Sequence, residues 1–295
     1  MSISMSLSIS MSMSLSMSYR ESYKHTTRFL VFLERNTGAF ANCTGHSVTT
    51  GSDHPDQKHL SISCQTMSYR MPAIATSEKI FIGVLSGAGG EGPGRRKAIR
   101  ETWAHGHSVY FIVAGPWVNI QSEYEEYHDL IWLDRDEIYD KENAVLPYKT
   151  MIFMKIAHDS ATSQNLNIKF AFKTDDDSFV NVKYLHQYLL EASIVRDYWG
   201  TCHHELVPPF RGDGWKWSVS RKVYPEEWYP PYCQGAGFGL SLKFLTCAVK
   251  GGEGSHIANH RYMPFVSLLA FCILQICLLG VKLNTIGVLV LPFRL

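Results

Sequence analysis

An excess of charge of either sign is missing from this sequence. Lys and Arg number 28 against 27 Asp and Glu, for a formal net charge of +1 at pH 7. The basic surplus that nucleic acid demands of a main partner is therefore absent, whereas a small acidic ligand fits the balance. Also lacking is any C-x-x-C pair. The cysteines, Cys43, Cys64, Cys202, Cys233, Cys247, Cys272 and Cys277, are scattered, which excludes a zinc ribbon and a thioredoxin-like redox motif. In a secretory lumen some of Cys202, Cys233 and Cys247 can pair, although an odd total leaves the connectivity open. The tripeptide Asn42-Cys43-Thr44 is an N-glycosylation acceptor only in that compartment. No long apolar run stands near the N-terminus either. Phe29 to Leu33 is too short for a signal peptide or a membrane anchor.

What is present divides the chain in three. Residues 1–18 alternate Ser with Met, Ile or Leu, too monotonously to specify a packing partner, and Glu34 to Thr76 is rich in Ser, Thr, His, Asn and Gly. Residues 1–76 are thus expected to be a low-complexity leader or stem without regular structure. From 77 to 263 the pattern is that of one folded domain, and 45% hydrophobic content with 13% aromatics supplies one sizeable core. Residues 264–295 form a hydrophobic tail whose run Phe265 to Val281 lies at the lower limit for a bilayer span. A membrane segment, a buried helix and a translated non-coding stretch all remain open for it.

Within the domain, strands are expected at Ile80–Leu85, Val109–Ala114, Asp129–Leu133 and Ile168–Phe172, with helices over Arg95–Ala104, Leu146–Ala161 and from Asn181 onward. Strands alternating with helices predict an α/β fold on a parallel sheet. The stretch Trp199 to Tyr232, dense in aromatics and prolines, reads as irregular strands and loops forming a binding surface.

Three segments carry chemistry. Asp175, Asp176 and Asp177 follow a buried strand at its carboxyl end, where open α/β sheets bind ligands. Three adjacent carboxylates repel one another unless a cation sits among them. Oxygen donors favour Mg²⁺ or Mn²⁺, which complete their shells with ligand phosphates. A plainer reading is a solvated acidic turn capping the helix that follows. In the second segment, Arg95 to Trp103, Arg96 and Arg100 share a helical face that can grip a diphosphate, or else form a solvated basic face with Glu101 as local partner. The third, Tyr224 to Ser241, pairs aromatic faces suited to sugar rings with Gly235, Ala236 and Gly237, which permit close backbone approach. Taken alone, the segment reads better as a Pro-rich turn leading into a core strand.

Gly87 to Gly92 matches G-x-G-x-x-G, but the second strand ends in Ala114-Gly115-Pro116-Trp117, with no acidic group for a ribose hydroxyl, so a dinucleotide site is rejected. A P-loop fails too, because Arg95-Arg96 stands where Lys and Ser or Thr are needed.

In this order, R-x-A-I-R-x-T-W at Arg96–Trp103, K-T-D-D-D-x-F-V-N at Lys173–Asn181 and Y-P-P-Y-C-x-G-x-G at Tyr229–Gly237 resemble the β-1,3-glycosyltransferase family of galactosyl- and N-acetylglucosaminyltransferases. The resemblance runs from Lys79 to Phe265 and includes Asp136 to Thr150. It implies a GT-A-like, Rossmann-type mixed sheet flanked by helices, inverting transfer of a hexose from a UDP-sugar to a glycan or glycoprotein in β-1,3 linkage, and Mn²⁺ as cofactor. By the same resemblance Asp175 and Asp177 hold the metal, and Arg96, Arg100, Lys173, Asp175 and Asp176 bind the donor. Trp228, Tyr232, Gly235 and Gly237 would face the acceptor. A Golgi membrane location with a lumenal domain is also implied, although no N-terminal anchor is legible before Lys79. The family's Glu-Asp-Val motif, whose acid is the presumed base, belongs after the segment resembling Arg261–Phe265. Val266-Ser267-Leu268 stands there instead, no Asp follows Asp213 and no acidic residue follows Glu253. The catalytic residue is therefore unassigned and the C-terminal part of the fold is expected to be incomplete. A non-catalytic protein that binds nucleotide or glycan is the competing expectation.

Overall fold

The computed structural model describes residues 57–62, 65–138, 145–190, 197–203, 205–212, 218–221, 227–229, 232–254, 283–285 and 290–292. The alternating Ser segment, the apolar run Phe265 to Val281 and the segment Arg261–Phe265 lie outside these residues. Among the described residues no helix is long and apolar enough to cross a membrane.

The strands in chain order are β1 (Gln57–Ile62), β2 (Gln65–Arg70), β3 (Ile80–Leu85), β4 (Val109–Ala114), β5 (Leu130–Leu133), β6 (Phe170–Asp175), β7 (Ser178–Val180), β8 (Tyr198–His203), β9 (Tyr232–Ser241), β10 (Leu283–Thr285) and β11 (Val290–Pro292). The helices are α1 (Gly92–Glu101), α2 (Gln121–Tyr127), α3 (Leu146–Thr162), α4 (Val182–Leu190) and α5 (Leu242–Gly254). Among the described residues one mixed sheet of nine strands runs in the order β1-β2-β5-β4-β3-β6-β9-β8-β10, and β11 pairs with β7 separately. Strands β5, β4, β3 and β6 are parallel, while β9 runs antiparallel to β6 and to β8. This is the α/β, Rossmann-type mixed sheet flanked by helices that the resemblance implies.

Continuous apolar strands form because both faces of the sheet are covered. Along β3, Phe81 and Leu85 enter one core with Phe153, Ile156 and Phe244 of α3 and α5, while Ile80, Ile82 and Val84 enter the other with Ile99, Leu185 and Leu189 of α1 and α4. Strand β4 divides in the same way, Tyr110, Ile112 and Ala114 against Val109, Phe111 and Val113. Prolines at the first turns of α1 and α3 fit where the missing N–H has no helical partner anyway.

Two expectations shift. The folded unit reaches back across the boundary drawn at residue 76: β1 and β2 make a hairpin, and β2 pairs with β5 through Tyr69↔Leu133 and Arg70↔Trp132. Tyr69, Met71 and Ile74 are buried. An edge strand with one covered face shows an apolar side chain only at alternate positions, which a search for apolar runs overlooks. Strand β6 likewise runs on past Phe172, because its register with β3 continues to Leu85↔Asp175. Pairing, not apolarity, carries Lys173, Thr174 and Asp175 as strand.

Candidate active site

The parallel order β5-β4-β3-β6 reverses direction between β3 and β6, because the chain winds outward from β3 to β5 and then crosses to β6. A crevice opens at such a switch point, outside the carboxyl ends of the strands. The carboxyl ends here are Leu85-Ser86 and Asp175-Asp176, tied by Asp176 N–H donating to the Leu85 carbonyl at 3.1 Å.

The three aspartates have three different surroundings. Asp176 turns inward: its Oδ2 accepts from Ser86 Oγ at 2.7 Å and its Oδ1 from Arg95 Nη1 at 3.1 Å. Burial works against the charge of Arg95, but the Asp176 hydrogen bond and charge raise its pKa overall. Asp175, half-exposed, is met by the ammonium of buried Lys173. Asp177 is exposed at the turn into β7. None of them caps α4. That role belongs to Asn181, whose Oδ1 accepts from Tyr184 N–H at 2.9 Å, so the acidic turn has no capping duty to explain it.

Lys173 also joins the aspartate segment to the segment Tyr224 to Ser241, because its Nζ donates to the Gly235 carbonyl at 2.6 Å. Next to it, Thr174 Oγ1 donates to the Ala236 carbonyl at 2.8 Å, and Gly237 lies opposite Thr174 in the register. The glycine stretch of β9 thus lies against the strand that delivers the triplet. Of the other acceptor candidates, Trp228 is exposed and Tyr232 half-buried, its ring 5.0 Å from that of His203.

The basic helix face behaves differently from either expectation. Arg96 is fully buried, with Nε donating to Glu123 Oε1 at 2.8 Å and Nη1 to Ser86 Oγ at 2.9 Å. Arg100 holds Asp129 bidentately at 2.7 and 2.8 Å and also reaches Glu123 at 2.8 Å. The two guanidiniums do share a face and do make bidentate grips, but on carboxylates of this chain. Burial raises the pKa of Glu123, yet Arg96 and Arg100 outweigh it and hold that carboxyl below its usual range. The local partner expected, Glu101, meets exposed Lys97 instead, at 3.8 Å.

The Gly-rich loop supports this arrangement. A side chain at Gly92 would place its Cβ 2.1 Å from the Gly87 carbonyl, and that same carbonyl accepts from Arg96 Nη1. Glycine is required there for packing, with no dinucleotide involved.

Sequence reading missed Ser86, Glu123, Glu137 and Lys149. Lys149, with no exposed surface, donates from Nζ to the Ser86 carbonyl at 2.8 Å and pairs with Glu137. Burial lowers its pKa, against the pull of Glu137. Its one signal was a lysine amid the apolar positions of α3. Along the same carboxyl edge, beyond β4 and β5, a cleft of about 640 Å³ is lined by Gly115, Pro116, Asp134, Arg135, Asp136 and Ile138.

Comparison with known proteins agrees with the three segments. The curated hydroxyproline O-galactosyltransferase GALT6 of Arabidopsis thaliana is 29% identical over 248 residues, which is 79% of this chain and 34% of that protein. Beta-1,3-galactosyltransferase 5 of Pan troglodytes is 29% identical over 186 residues, 59% of this chain and 57% of that one. The chain therefore spans about a third of the first relative and just over half of the second. Residues 94–259 match the family described as galactosyltransferase. That match covers more than half of the sequence and takes in most of α1, the aspartate turn and β9, and on it the chain belongs to the galactosyltransferase family.

Proposed function

We propose that this protein transfers a hexose, galactose or N-acetylglucosamine, from a UDP-sugar to a hydroxyl of a glycan or glycoprotein, forming a β-1,3 linkage with inversion. The observation that carries the reading is the aspartate turn at the sheet's switch point. Two of its carboxylates are open to solvent, while the third is locked inward by Ser86 and Arg95.

Asp175 and Asp177 supply hard oxygen donors on one turn, a set that fits Mn²⁺ or Mg²⁺. When bound, such an ion neutralises the charge that builds on a departing diphosphate. The chain's own groups do the positioning. Lys173 fixes Asp175 and ties it to β9, and Asp176 anchors the turn to β3. Arg96 and Arg100 act through Glu123 and Ser86 to hold α1 beside the crevice, which replaces the direct diphosphate contact expected of them. The cleft beyond β4 and β5 takes the nucleoside end of the donor, with Asp134 and Asp136 as acceptors for its hydroxyls. Gly235, Gly237, Tyr232 and Trp228 on the β9 side face the acceptor sugar. The disulfide between Cys202 and Cys233 supports a lumenal, oxidising compartment such as the Golgi.

A second reading, nucleotide binding without transfer, rests on Val266-Ser267-Leu268 standing where the family's Glu-Asp-Val base is expected. Calorimetry with UDP in the presence and absence of Mn²⁺, beside a transfer assay with UDP-galactose and UDP-N-acetylglucosamine, tests both. Mn²⁺-dependent UDP binding that Asp177→Ala abolishes, together with transfer, supports the enzyme. The same binding without transfer supports the second reading. UDP affinity indifferent to Mn²⁺ and to Asp177→Ala overturns the metal assignment.

A further inference from the structure

At the opposite edge of the sheet three side chains converge that neither the fold nor the proposed transfer reaction uses. Glu78 lies just before β3, His107 just before β4, and His186 on α4. Glu78 Oε1 is 2.8 Å from His107 Nδ1 and 3.7 Å from His186 Nε2. All three donor atoms lie within 4.8 Å of one another. The His107 and His186 rings stack with centroids 6.0 Å apart.

We propose that Glu78, His107 and His186 form a second metal site, for a late first-row divalent cation of the zinc class, with water completing the shell. Imidazole and carboxylate together suit Zn²⁺ and its neighbours, whereas Mg²⁺ and Ca²⁺ take oxygen alone. Bonds of about 2.0–2.1 Å in a tetrahedron set neighbouring donors roughly 3.3 Å apart, and the two distances from Glu78 Oε1 bracket that spacing.

Two further features support an ion over a plain hydrogen-bonded trio. His186 Nε2 is buried and has no hydrogen-bond partner among the described residues. At 3.7 Å it is too far from Glu78 to hydrogen-bond, yet at the right distance to share an ion. The other carboxylate oxygen of Glu78 is oriented by Ser108 N–H at 3.3 Å, as ligating carboxylates commonly are. The side chains of Glu78, His107 and His186 are 17%, 31% and 26% exposed, so the ion can enter and keep a water. It would pin the segment before β3 and the loop before β4 to α4, far from the aspartate turn. The role is structural.

Titration of the full chain with Zn²⁺, and with Co²⁺ followed by its visible absorption, is the test. One equivalent should bind, Co²⁺ should show the strong bands of tetrahedral coordination, and Zn²⁺ should raise Tm. His186→Ala and Glu78→Gln should each weaken Zn²⁺ by at least about tenfold, leaving Mn²⁺-dependent UDP binding unchanged. That last readout separates this site from the one at Asp175 and Asp177. Glu78→Gln preserves shape and keeps one acceptor oxygen for Ser108 N–H, so it remains decisive should His186→Ala fold poorly. No Zn²⁺ uptake, or uptake that survives both substitutions, overturns the proposal.

Discussion

Ser86 Oγ stands 2.7 Å from Asp176 Oδ2, and the same hydroxyl accepts from Arg96 Nη1 at 2.9 Å. One small side chain at the end of β3, ninety residues before Asp176 in the chain, therefore links the aspartate turn to the buried arginine of α1. The segments that carry the family resemblance are joined physically: α1 to the turn through Ser86 and Arg95, and the turn to β9 through Lys173. Their co-occurrence in the sequence reflects one hydrogen-bonded unit.

Ser86→Ala breaks that link at its centre. The hydroxyl is buried, so its loss removes a donor from Asp176 and an acceptor from Arg96 without admitting water in its place. The expected cost is about 1–3 kcal/mol of stability, read from denaturant unfolding, together with weaker Mn²⁺-dependent UDP binding as the turn loosens. A stability loss with UDP affinity unchanged would confine Ser86 to a structural role.

Glu123 gives the protein an acid sensitivity of definite sign. Its carboxyl is held below the ordinary value of 4.5 in the folded state, so the unfolded chain takes up its proton first as pH falls. The stabilisation is fully present above about 4.5 and is lost as pH drops through the lower folded value. Tm measured against pH should fall below that point, with a shallower slope in Glu123→Ala. At neutral pH that substitution strands the buried Arg96 and should cost roughly 3–5 kcal/mol. Equal slopes in the two proteins would show that another carboxyl governs the acid limb.

Much of the frame was legible because the parallel strands are apolar on both faces. Ile80–Leu85 and Val109–Ala114 are observed with the bounds expected of them. The triplet was legible as a site because carboxylates crowd where a strand ends. What escaped depends on distant partners. Nothing near Arg96 and Arg100 in sequence announces that Glu123 and Asp129 will face them, so a phosphate was the natural guess for a bidentate grip. Glu78, His107 and His186 are likewise scattered along the chain, and only the alignment of strand ends brings them together. The hairpin of β1 and β2 escaped because its residues are polar at every second position.

The strand that carries the glycine stretch is fitted to a tryptophan. A Cβ added at Gly239 would lie 1.9 Å from Trp199 Cζ2. Trp199 has no exposed surface and stacks on Phe172 at 5.5 Å, so it has nowhere to retreat. Gly239→Ala should cost at least about 1–3 kcal/mol through overpacking. Adding Trp199→Phe should recover part of the loss, which a double-mutant cycle on unfolding free energies measures directly. Additive effects of the two substitutions would mean that the indole does not set the constraint.

Cys202 and Cys233 lie opposite each other where β8 meets β9, and their disulfide closes a separation of 31 residues. A loop of that length constrains the unfolded chain enough to stabilise the fold by about 3–4 kcal/mol on the chain-entropy account. Cys202→Ser, or reduction with the fold otherwise intact, should lower the unfolding midpoint accordingly. The consequence should reach the candidate site as well, because Cys233 is two residues before Gly235, whose carbonyl receives Lys173. With the bridge open, β9 is held there by hydrogen bonds and packing alone, the Gly235 carbonyl becomes a less fixed partner for Lys173, and the ammonium beside Asp175 is freer to shift. Mn²⁺-dependent UDP affinity should therefore fall in the reduced protein while the fold persists. Unchanged affinity after reduction would show that β6 alone sets the geometry of the aspartate turn.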